Sequence, residues 1–216
     1  MSYQKRVREA LNADERRIFE RLTSPQKVQD FLDTLPINFE LKSETYMSPR
    51  RLLRTKTAHC FEGALLAAAA LAYHGQKPLL MDFQTSAEDE DHVIALFRQN
   101  ALWGAISKTN HAILRYRDPV YKTPRELAMS YFNEYVVEGG KKTMRAFSAP
   151  FDLSRYAPKR WIIGEEELQW LVDDLDTSRH FPAVNKKNIK NLRKASSVEL
   201  RALAHVEWRD PRSKRR

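Results

Sequence analysis

Residues 63–73, GALLAAAALAY, carry no charged side chain over eleven positions. A stretch this apolar on every side has to be covered by the rest of the protein, and its Ala and Leu content favours a helix over a strand. A membrane-spanning helix needs roughly 20 such residues, so this is a core element and not a span. Thr57 stands near its head, and Gly75, suited to a left-handed cap, just past its end. The pattern predicts a buried helix over 57–73, and the remaining chain must supply the layers that enclose it.

The chain has the material to do so. Of its 216 residues 42% are hydrophobic, and it holds ten Phe, eight Tyr and four Trp. That size and content suit one domain with appendages. The opening MSYQKRVREALNADERR is charged and lacks the apolar stretch of a signal peptide. The single cysteine, Cys60, allows no intrachain disulfide. These features predict a cytoplasmic protein with no membrane partner.

Residues 4–22 read as one charged helix, with Val7, Leu11, Ile18, Phe19 and Leu22 as its apolar positions. Ser24 and Pro25 start a second, with Val28, Phe31 and Leu32 on one face. Residues 37–56 read as irregular and basic. After the buried helix, strands are predicted over 78–83, 92–97, 102–107 and 112–116, with an acidic loop at 88–91 and a turn at Gln99-Asn100. Helices follow over 124–135, 165–175 and 197–206. The expected organisation is a helical extension over 1–56, a core over 57–137 and a basic, partly helical extension over 138–216, all in one compact unit. The fold class is α+β, the buried helix packing on a small antiparallel sheet with flanking helices.

The net charge of +9 is unevenly spread. Residues 57–137 hold seven Lys/Arg against nine Asp/Glu, and residues 138–216 hold eighteen against eleven. A basic flank is compatible with nucleic-acid binding, although a solvated surface is its commoner meaning. The scattered histidines and single cysteine give no zinc spacing, and GGKK at 139–142 lacks the spacing of a phosphate loop. No metal and no cofactor is expected.

The chemistry starts at Cys60, in TAHCFEG, within the first turn of the buried helix. Free N–H groups and a partial positive charge there favour a thiolate and can hold an oxyanion. A base must come from the histidines. On a helix His59 would point about 100° away from Cys60, and His74 would lie roughly 21 Å along the axis; neither is expected to reach the sulfur. His92 opens a strand after the acidic loop, alternating with Ile94 and Leu96 on a face that can turn toward a helix. With a hairpin centred on Gln99-Asn100, His92 stands opposite Ser107, which can orient its ring, and Asn110 can reach the ring from the strand end. Glu62, two residues past Cys60, is assigned no role, Lys108 is read as a surface lysine, and Arg115 and Arg117 as a solvated strand face.

These pieces resemble the transglutaminase-like superfamily, which includes microbial cysteine peptidases and amidases of papain-like fold. The likeness runs over about residues 50–120. It rests on Cys60 heading the helix through ALLAAAALAYHG, on GQKP leading into LLMDF, on His92 opening HVIALF, and on Trp103 opening WGAISKTN. It implies a nucleophile at Cys60, a base at His92, and acyl transfer or amide or ester hydrolysis through a thioester. The substrate would be a peptide, a protein or a small amide or ester, and Trp103 would pack under the site. The family's aspartate, four residues after the Trp, is here Ser107. Ser107 or Asn110 is then the third member, or the site is impaired and the domain is a binding module.

Overall fold

Asn12 divides the N-terminal helical segment in two. Its side chain accepts from the Glu15 N–H at 2.9 Å, while the Glu15 carboxylate accepts from the Asn12 N–H at 2.8 Å. This reciprocal cap starts a new helix where the sequence pattern ran straight through. In the computed structural model, which describes residues 1–213, α1 spans Tyr3–Ala10 and α2 Ala13–Arg21. Ser24 caps α3 (Pro25–Asp33), with proline in its first turn. The segment read as irregular contains α4 (Pro49–Thr55), capped in the same way by Ser48. Then comes α5, Cys60–Tyr73, every residue of which from Phe61 onward is buried.

The strands form one antiparallel sheet of seven. They are β1 (Leu79–Gln84), β2 (His92–Gln99), β3 (Leu102–Ile106), β4 (Arg117–Tyr121), β5 (Ala146–Ser148), β6 (Phe151–Asp152) and β7 (His180–Pro182). Their order is β4-β3-β2-β1-β5-β7, with β6 also on β1. Between and after them lie α6 (Pro124–Met129), α7 (Pro158–Trp161), α8 (Gln169–Asp176) and α9 (Ser197–Leu203). The α+β class therefore holds. The segment predicted as a strand over 112–116 is bent instead, with Leu114 at φ 58°, and the strand starts at Arg117. The helix predicted over 124–135 ends at Met129, and a single 3-10 turn follows at Phe132–Glu134.

Two cores sandwich the sheet. On one face α5 packs against Leu80, Val93, Ala95, Phe97 and Ile106, walled in by Val7, Phe19, Leu32 and Leu52 of the N-terminal helices. Each buried Leu or Phe of this layer contributes about 1.5–3 kcal/mol by leaving water. On the other face Met81, Phe83, Ile94, Leu96 and Ala105 meet Leu127, Tyr131, Tyr135 and Phe147. The side chains of β2 alternate between the two, as a strand buried on both faces requires. Among the described residues no helix is long and apolar enough to cross a membrane.

Candidate active site

The chain enters α5 along an extended segment pinned by Ala58, which bridges Ile37 and exchanges backbone hydrogen bonds with Pro36 and Asn38. His59 continues that segment, with φ −96° and ψ −173°, and Cys60 is the first helical residue. The helical wheel thus does not govern His59. Its ring turns to the sulfur of its neighbour, and the expectation that it cannot reach is corrected. One ring nitrogen, Nε2, lies 2.7 Å from the Thr45 carbonyl oxygen, which can only accept, so Nε2 carries a proton.

Glu62, which the sequence left without a role, holds this arrangement together. Its fully buried carboxylate accepts from the His59 backbone N–H at 3.1 Å, the Thr45 hydroxyl at 2.9 Å, the Met47 N–H at 3.1 Å and the Asn38 amide. It also stands 3.4 Å from His59 Nε2. The spacing of Glu62, three residues after the residue that precedes the helix, is the reciprocal-cap spacing and was the available signal.

The second imidazole comes from His92, first residue of β2 and buried. The loop before it is closed by Asp91, which accepts from the Thr85 N–H at 2.7 Å and hydroxyl at 3.0 Å. Ile94 and Leu96, on the same strand face as His92, belong to the core opposite α5. The approach to Cys60 is consequently made at the end of the sheet, where β2 and α5 both begin, and not across its helix-covered face.

His92 Nε2 lies 2.8 Å from Ser107 Oγ, as the sequence reading expected, though in another register. The hairpin turns at Asn100-Ala101, both at positive φ, and pairs Ala95 with Ile106. Moving the turn by one residue shifts every pair by two, so Ser107 keeps its face and reaches His92 diagonally. Ser107 Oγ also lies 2.5 Å from the Leu114 carbonyl oxygen. The hydroxyl has one proton, and a carbonyl can only accept it. Ser107 must then accept from His92 Nε2–H, which leaves the other ring nitrogen, Nδ1, able to take a proton. Helix α3 fixes Ser107 in turn, since the Gln29 amide bonds both its carbonyl (2.9 Å) and its N–H (3.0 Å).

Asn110 does not reach His92. Its side-chain amide donates to the Trp208 carbonyl at 2.9 Å and accepts from the Trp208 N–H at 2.8 Å, anchoring the C-terminal segment instead. Lys108 is buried, not a surface residue. Its ammonium donates to the Leu32 and Leu35 carbonyls at the end of α3, and burial lowers its pKa. Arg117 pairs with Glu134, and Arg115 with Glu207. Trp103 lies near the turn, stacked by Arg98, at the far end of β3 from His92. A second imidazole–carboxylate pair, His180 with Asp82 at 3.0 Å, was unforeseen because β7 is too short to show a period.

The electrostatics favour a thiolate. Burial alone would push the Cys60 thiol up, but hydrogen bonding and positive charge from His59 and His92 outweigh it and hold the thiol well below its ordinary value. Burial likewise opposes the charge on His59, yet Cys60, Glu62 and the Thr45 carbonyl raise it to about 9. His59 is thus a standing cation at neutral pH. Cys60 itself is half-buried and opens with both histidines into a cavity of about 450 Å³, whose rim carries Glu40, Asp89, Glu90 and Asp91. No protein-family model matches the chain, and no curated protein matches it in sequence.

Proposed function

We propose that the chain is a cysteine-dependent acyl-transfer enzyme of transglutaminase-like type, cleaving an amide or ester and passing the acyl group to water or an amine. The single observation that carries this reading is a thiol, at the head of a buried helix, held low by two imidazoles that meet it from different elements. Cys60 is the nucleophile. His59, kept cationic by Glu62, stabilises the thiolate, and His92, oriented by Ser107, moves the proton. Helix-head N–H groups face the developing oxyanion.

The thiolate adds to the carbonyl carbon, and the π pair moves onto oxygen. Collapse expels the amine or alcohol, which leaves with a proton from His92. Water or an amine then attacks the thioester, returns a proton to His92 and frees the thiol. The acidic rim suits neutral or cationic substrates better than anionic ones.

The test uses p-nitrophenyl acetate as acyl donor. Wild-type protein is expected to release p-nitrophenolate and to carry an acetyl group on Cys60 by mass spectrometry, and Cys60→Ala to do neither. Equal release by both proteins removes the enzyme claim.

A further inference from the structure

Tyr135, just after the 3-10 turn at Phe132–Glu134, is 1% exposed, and its hydroxyl is buried without a hydrogen-bond partner. A buried, unpaired hydroxyl lowers the stability of a fold, and a protein keeps one where something else needs it. The ring is fixed. It packs edge-on against Phe83 at 5.9 Å, and Phe83 is the strand partner of His92. Tyr135 thereby lines the same cavity as Cys60, His59 and His92.

We propose that the Tyr135 hydroxyl is a further catalytic group, the side-chain donor that binds the substrate's carbonyl oxygen as it becomes an oxyanion. The inference rests on the acyl-transfer reading and adds to it a residue that neither the cysteine nor the histidines implied.

Three properties suit the phenol to this task. It has a free proton to give, since no protein group takes it. It keeps that proton, because burial and then the nearby charges of Cys60 and Asp82 push its pKa far above the ordinary phenol value. It also feels the charge of the sulfur while lacking any bonded partner, which leaves room between them for an atom of the substrate. The developing oxyanion is then held between the backbone N–H groups at the head of α5 and the phenol. No proton is transferred from Tyr135 at any stage, so the balance of the acyl-transfer steps is unaltered.

Tyr135→Phe removes only the hydroxyl and keeps the ring packing. Two reagents read it out. Acylation of Cys60 by p-nitrophenyl acetate passes through an oxyanion, whereas alkylation by iodoacetamide does not. The expected result is acylation slowed roughly 100-fold, the scale of one oxyanion donor, with alkylation within about twofold of wild type by the same principle, because no oxyanion forms. The melting temperature should be unchanged or higher. Acylation at the wild-type rate would overturn the inference, and so would an equal loss of both reactions, which would mark a merely structural residue. Wild-type protein that alkylates rapidly but never acylates would take down the acyl-transfer reading itself, and this inference with it.

Discussion

A thiol in contact with two imidazoles does not titrate as a thiol. The charge on His59 and the contacts of both rings favour S⁻ over SH, so iodoacetamide should react with Cys60 at pH values well below the ordinary cysteine range of about 8.5. His59→Gln takes away a positive charge from beside the sulfur, which destabilises the charged form. The midpoint of the rate–pH curve is expected to move up, and an unmoved midpoint would show His59 to be a bystander. Ser107→Ala should slow turnover five- to tenfold, as loss of a neutral hydrogen bond worth about 1 kcal/mol implies, with KM little changed. Ser107→Asp should not restore the family's triad. A carboxylate has no proton for the Leu114 carbonyl 2.5 Å away, so steady-state kinetics should place it below wild type. At this scale Cys60, His92 and Ser107 were legible because a helix head and strand alternation announce them. His59 and Glu62 were not, because helical angles were applied one residue before the helix begins.

Helix α5 decides what its neighbours can be. Gly63 faces the Lys108 stem so closely that an added Cβ would stand 2.4 Å from Lys108 Cβ. That contact involves the root of the side chain and cannot be relieved by swinging its end. Gly63→Ala is expected to cost about 1–3 kcal/mol in urea denaturation, the usual penalty of overpacking. It should slow acylation as well, because Lys108 adjoins Ser107. The long elements were readable for the same reason that they are stable. An apolar run with a cap, or a strand buried on both faces, leaves a pattern many residues long. Short ones gave none, β5, β6 and β7 being two or three residues each. The missed α4 did carry a signal, Ser48 followed by Pro49, obscured by the arginines after it.

Across the whole molecule, the C-terminal segment returns to the rim of the cavity. Besides the Asn110–Trp208 pair, Val206 bridges His111, the Ala112 N–H donates to the His205 carbonyl, and Leu203, Asp210 and Arg212 line the opening. None of α9 is buried, so the core does not depend on it. Deleting 196–216 should lower the melting temperature by only a few degrees and should speed labelling of Cys60 by a bulky maleimide more than by iodoacetamide. Unchanged relative rates would show that the segment does not restrict entry. The provenance of the site has a kinetic corollary. The sulfur comes from the helical layer, the imidazole and hydroxyl from one hairpin, and the glutamine that clamps the hydroxyl from α3. No fragment of the chain contains the assembly, so a refolding sample pulsed with alkylating reagent carries its own stopwatch: the thiol turns fast at the instant helices and hairpin close on one another.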